Sequence, residues 1–80
     1  MDAQTVETLV REAIADARVT VDGVGANYNI TVVSDVFSGP SPVKRQQTVY
    51  AALGESIASG AIHAVSIRTF TEQEWEGAGA

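Results

Sequence analysis

Along the first stretch of the chain, Val6, Leu9, Val10, Ala13, Ile14 and Ala17 recur at helical spacing, and Glu7, Arg11, Glu12 and Asp16 fill the opposite side. This pattern predicts an amphipathic helix with Asp2 as its N-cap. The period then shortens. Val19 and Val21 alternate with polar neighbours, "DGVG" at 22–25 has turn chemistry, and Tyr28, Ile30 and Val32 resume the alternation, which predicts a two-stranded hairpin. Gly39 and Pro40 break the chain, Ser41 can cap, and Pro42 suits the first position of a second helix because its missing N–H has no partner to lose there. Val49, Leu53 and Ile57 lie four apart on that helix, while Gly54 weakens its middle enough to divide it into two short pieces. Gly60 is placed to end it in a left-handed conformation. A third strand is read from Ile62 to Phe70, followed by "TEQE" at 71–74, a capping box in which Thr71 and Glu74 satisfy each other's backbone donors ahead of Trp75.

Each of these elements has one apolar side to cover. The predicted order α, β, β, α, short α, β therefore gives an α+β two-layer sandwich, a three-stranded mixed sheet with helices on one face. The order is that of a type II KH-like fold, αββααβ. The G-x-x-G loop with which KH domains clamp nucleotides is missing, because no two of the seven glycines lie three apart. Residues 1–76 read as one domain, and "GAGA" at 77–80 as a frayed tail.

Length and charge narrow the function. Eighty residues make a single small domain. A net charge of −5 works against phosphate-backbone binding, whose affinity comes from Lys and Arg releasing counterions. With no cysteine, the chain has neither disulfides nor thiolate ligands, so any thiolate has to come from a partner. No apolar run has the length of a membrane span, and the N-terminus is acidic and periodic, without a basic segment before an apolar one. The expectation is a cytoplasmic protein with no membrane partner.

Few residues carry chemistry. His63 is the only histidine. It is either a hydrogen-bonded, inert end to the apolar stripe of Val65 and Ile67, or a ring at the rim of the sheet that reaches an external ligand. Ser34, Asp35 and His63 do not make a hydrolytic triad, since the first two are adjacent and point apart and no G-x-S-x-G elbow is present. A lone histidine with scattered carboxylates also lacks zinc-site spacing, so the chain reads as non-enzymatic and any metal as shared. Lys44 and Arg45 stand in the first turn of helix two, where positive charge opposes the helix dipole. Val43 and Tyr50 on that helix are expected to pack in or at the rim of the core.

The segment "FSGPSPVKRQQTVYAALGESIASGAIHAVSIRTFTEQEW" resembles the BolA family, and within it the IbaG-like branch. Phe37, Gly39, Val43, Arg45, Val49, Tyr50, "IHAVSI", Thr71 and the Glu74–Trp75 pair fall in order at the family's spacing. The resemblance implies the BolA-like, KH-like fold, and it implies a partner. BolA-like proteins associate with monothiol glutaredoxins and share with them a 2Fe-2S cluster that glutathione also ligates. The family's ligating histidine falls on His63. Many members carry a second His or Cys in the loop entering strand two, where this chain has Asn27, a poor iron ligand. The family-based expectation is a glutaredoxin partner in iron–sulfur trafficking or iron and redox sensing, monomeric and free of cofactor when alone, with a homodimer as the alternative state. The competing expectation is a DNA- or RNA-binding transcriptional regulator of the stress response that contacts nucleic acid through Lys44 and Arg45.

Overall fold

The structure is a computed structural model that describes residues 2–14, 16–25 and 27–77. Its elements are α1 (Ala3–Ala13), β1 (Arg18–Val24), β2 (Asn27–Val33), a single 3-10 turn (Asp35–Phe37), α2 (Pro42–Ala58), β3 (Ala64–Phe70) and α3 (Glu72–Gly77). The strands lie in the order β1-β2-β3. β1 runs antiparallel to β2, and β3 is parallel to β2, so the sheet is mixed as expected. Residues 78–80 of the expected tail lie outside the described residues.

Alternation along the strands sets the layers. Val21, Ile30 and Ile67 form one row across the sheet, and Val19, Val32 and Thr69 the next. The side chains of Ile30 and Val32 are buried against Val6 and Val10 of α1 and Val49 and Leu53 of α2. Both long helices therefore cover the same sheet face. Phe37, carried by the 3-10 turn, and Ile62, just ahead of β3, complete this core. Among the described residues no helix is long and apolar enough to cross a membrane.

The caps form as the sequence predicts. Asp2 Oδ1 accepts the Thr5 amide at 2.8 Å, and Ser41 Oγ accepts the Lys44 amide at 3.3 Å ahead of Pro42. At the capping box, the Thr71 amide donates to Glu74 Oε1 at 2.8 Å and the Glu74 amide to Thr71 Oγ1 at 3.1 Å. Gly60 follows α2 with φ +82°.

Other details differ. α1 stops at Ala13, because Ile14 takes an extended conformation that buries its side chain in the core. β1 runs on through Asp22 and Gly23 to Val24, where a turn was expected, and β2 begins at Asn27. The strand continues because Gly23 pairs with Tyr28, whose ring occupies the space a side chain at 23 would fill. α2 is one helix of 17 residues rather than two pieces. Gly54 faces open space within it, and burial of Val49 and Leu53 holds the helix together across the weak position. Neither Val43 nor Tyr50 packs in the core: Val43 is 65% exposed, and Tyr50, at 41%, is at most at the rim. Tyr50 follows buried Val49 and is turned about 100° away from it around the helix. The third strand starts at Ala64, two residues later than expected, and the last helix follows it.

Candidate functional site

His63 owes its position to the way α2 ends. Beyond the C-cap Ser59, the Gly60 amide donates to the Ile57 carbonyl at 3.1 Å and the Ile62 amide to the Ser56 carbonyl at 3.1 Å, which reverses the chain. Ile62 then drops into the core, 2% exposed. The next residue, His63, is exposed in the loop entering β3, with no hydrogen bond or ion pair to any described residue. The reading of an inert, hydrogen-bonded ring at the end of the apolar stripe does not hold, since Ile62 plugs the core there instead.

Asn27 opens β2 and pairs in parallel register with Ala64, the residue after His63. The hairpin connection and the loop that carries His63 therefore sit at the same end of the sheet, and both Asn27 and His63 are exposed there. Among the described residues no three His, Cys, Asp or Glu side chains are grouped so as to hold a metal ion. The donor set at this end suits a metal group that takes one imidazole from this chain and its remaining ligands from elsewhere, and does not suit a self-contained site.

Lys44 and Arg45 are adjacent in sequence but do not act as a pair. Lys44 is exposed. Arg45 is folded inward: Nη1 donates to Glu74 Oε1 at 2.7 Å and Nε to the Pro40 carbonyl at 3.3 Å, leaving its side chain 14% exposed. This guanidinium locks the start of α2 to α3. It also holds the Glu74 carboxyl below the usual carboxylate range, with the Thr71 amide adding to the effect. Arg11 and Arg18 are likewise paired, with Glu7 at 3.6 Å and Glu72 at 2.7 Å. Of the five cations, Lys44 and Arg68 remain without a carboxylate partner among the described residues. The prominence of Arg68, and of Asp22 across the sheet from it, was missed in the sequence. The available signal was strand parity, which puts Ser66 and Arg68 on the face opposite Ile67.

The description of the BolA-like protein family matches residues 6–74 of this chain. The chain belongs to the BolA family. It is 40% identical over 75 residues to the acid stress protein IbaG of Escherichia coli K12, covering 94% of this chain and 89% of IbaG. It is 41% identical over 54 residues to the DNA-binding transcriptional regulator BolA of Vibrio cholerae, covering 68% of this chain and 50% of that protein. Among solved structures, a BolA protein homologue from Coxiella burnetii superposes with a TM-score of 0.83 at 28% identity, covering 95% of this chain and 97% of that one. The mixed three-stranded sheet with its helices is thus the BolA fold, and His63, Asn27, Lys44 and Arg45 all lie within the matched residues.

Proposed function

We propose that this BolA protein is a non-enzymatic partner of a monothiol glutaredoxin in iron–sulfur cluster trafficking or in iron and redox sensing, and that it holds its share of a 2Fe-2S cluster through His63. The observation that carries the reading is the exposure of His63, the only histidine, with no partner among the described residues. A buried, satisfied imidazole would have to give up its contacts to become a ligand, whereas this one is free to bind. Because the chain has no cysteine, the thiolates come from the glutaredoxin and glutathione. A neutral imidazole adds no negative charge to the iron it binds, and in Rieske-type centres that substitution raises the potential. Asn27 at the same end offers an amide, a poor iron ligand, so the cargo is held loosely and is suited to being passed on.

A second reading, nucleic-acid binding, is favoured by the name of the Vibrio cholerae relative. The electrostatics oppose it here. Arg45 is committed to Glu74, Lys44 is left alone in that turn, and the chain carries a net charge of −5.

The test is to mix the purified protein with a monothiol glutaredoxin carrying a cluster and to record visible absorption and circular dichroism. A spectrum that differs from that of the glutaredoxin alone supports cluster sharing. An unchanged spectrum, together with DNA affinity that falls steeply with salt, would favour the regulator reading.

A further inference from the structure

The two faces of the sheet differ. One is covered by α1 and α2. The other is open, and strand alternation lines it with polar side chains in two rows, Asp22–Asn29–Ser66 and Thr20–Thr31–Arg68. Only its far end is roofed, by α3, where Trp75 meets Phe70 edge to face at 5.2 Å and Glu72 pairs with Arg18. Three shallow cavities follow one another across this face. The first, about 200 Å³, lies among Asn27, Asn29, Ala64 and Ser66, and the second, also about 200 Å³, among Asp22, Asn29, Thr31, Ser66 and Arg68. The third, about 130 Å³, lies between Thr31 and Trp75. Neighbouring cavities share Asn29 and Ser66, then Thr31, so together they form one trough from the Asn27 end of the sheet to Trp75.

The trough has a neutral hydrogen-bonding floor and one unpaired charge on each margin, Asp22 and Arg68; the third charge along it, Arg18 beside Trp75, is paired with Glu72. Asp22 on β1 and Arg68 on β3 are both exposed, and neither side chain is hydrogen-bonded or ion-paired to a described residue. The Arg68 guanidinium lies over the Phe70 ring, 5.5 Å from its centroid. The two charges do not neutralise each other because they are two strands and two residues apart, about 12 Å between their Cα positions for ordinary strand spacing. A free amino acid, with its charges about 3 Å apart, reaches one margin only, whereas an extended peptide of about three residues spans roughly 10 Å.

We propose that this trough binds a short extended peptide of about three residues with a free ammonium and a free carboxylate. Asp22 takes the ammonium, the Arg68 fork takes the carboxylate, and Asn29, Thr31 and Ser66 bond the amides between. Ion pairs this open to solvent contribute little, so the affinity is millimolar.

The test is a titration of triglycine into the isotope-labelled protein alone, followed by amide chemical shifts, so its outcome does not depend on whether the protein shares a cluster. Saturating shifts are expected at Asn29, Thr31, Ser66 and Arg68. Binding should weaken about fivefold in Arg68→Gln and in Asp22→Asn, the loss of one exposed ion pair each. Glycine and N-acetyltriglycine amide should produce no saturating shifts. Shifts on the helix-covered face, no saturation, or an equal response to the doubly blocked peptide would overturn the proposal. A response to only one of the two substitutions would overturn the two-ended mode of binding.

Discussion

A methyl group added at Gly23 tests how β1 and β2 fit together beneath the site. A Cβ there would overlap Tyr28 Cδ1 and lie 2.8 Å from Tyr28 Cε1 and 2.8 Å from the Asn27 carbonyl oxygen. Unstrained carbon–carbon contacts are about 3.5–4.0 Å, so the ring would have to retreat by more than about 1 Å. It has little room to do so, because Tyr28 is 4% exposed and packed into the core. Overpacking of this kind costs about 1–3 kcal/mol, and the stiffer unfolded chain returns about 0.4–1 kcal/mol. Gly23→Ala should therefore lose about 1–2 kcal/mol. For a domain of this size that is a fall in Tm of roughly 5–15 °C, followed by far-UV circular dichroism with urea midpoints as a check. In a Tyr28→Leu background the same substitution should cost clearly less, since the ring that meets the methyl is gone. A Gly23→Ala protein melting at or above the parent temperature would refute the reasoning.

Gly54→Ala should act in the opposite sense: nothing lies within 4 Å of the added carbon and the helix is continuous there, so thermal melting should show a gain approaching 1 kcal/mol. Glu74→Gln probes the Arg45 lock. The folded carboxyl is held below its ordinary value near 4.5, so its stabilisation is present above that pH and is lost as the pH falls through the lowered folded value. Urea midpoints of the parent should decline on acidification through and below the ordinary carboxylate range, and the decline should be shallower in the variant; parallel curves would remove Glu74 from the account. Asn27→Cys supplies a thiolate at the end of the sheet where His63 stands, so the shared cluster should leave more slowly for a chelator, and equal rates in parent and variant would place residue 27 outside the ligand set.

The fold was legible because period and punctuation agreed. Alternation at Tyr28, Ile30 and Val32, the Ser41–Pro42 start and the Thr71–Glu74 box each encode a local structure that tertiary packing then used without change. The misreadings share a cause, in that long-range packing outweighed a local signal. Burial of Leu53 carries α2 through Gly54, the Tyr28 ring draws Gly23 into a strand rather than a turn, and Ile14 leaves the helix to reach the core. At the candidate site, the place of His63 at the mouth of the third strand was readable from Gly60 and the alternation that follows. Its freedom was not, because that depends on Ile62 taking the core position. The separate fates of Lys44 and Arg45 were equally hidden, since the partner of Arg45 is Glu74, 29 residues away.

If His63 is this chain's ligand to a cluster shared with a monothiol glutaredoxin, its removal abolishes the spectrum of the mixed complex. The most direct measurement is visible circular dichroism of cluster-loaded glutaredoxin titrated in parallel with the parent protein and with His63→Ala. His63 is exposed and bonded to no described residue, so the variant should fold and melt like the parent. A new spectrum that saturates at a fixed ratio is expected with the parent, and none with the variant. The same new spectrum from both proteins would contradict it.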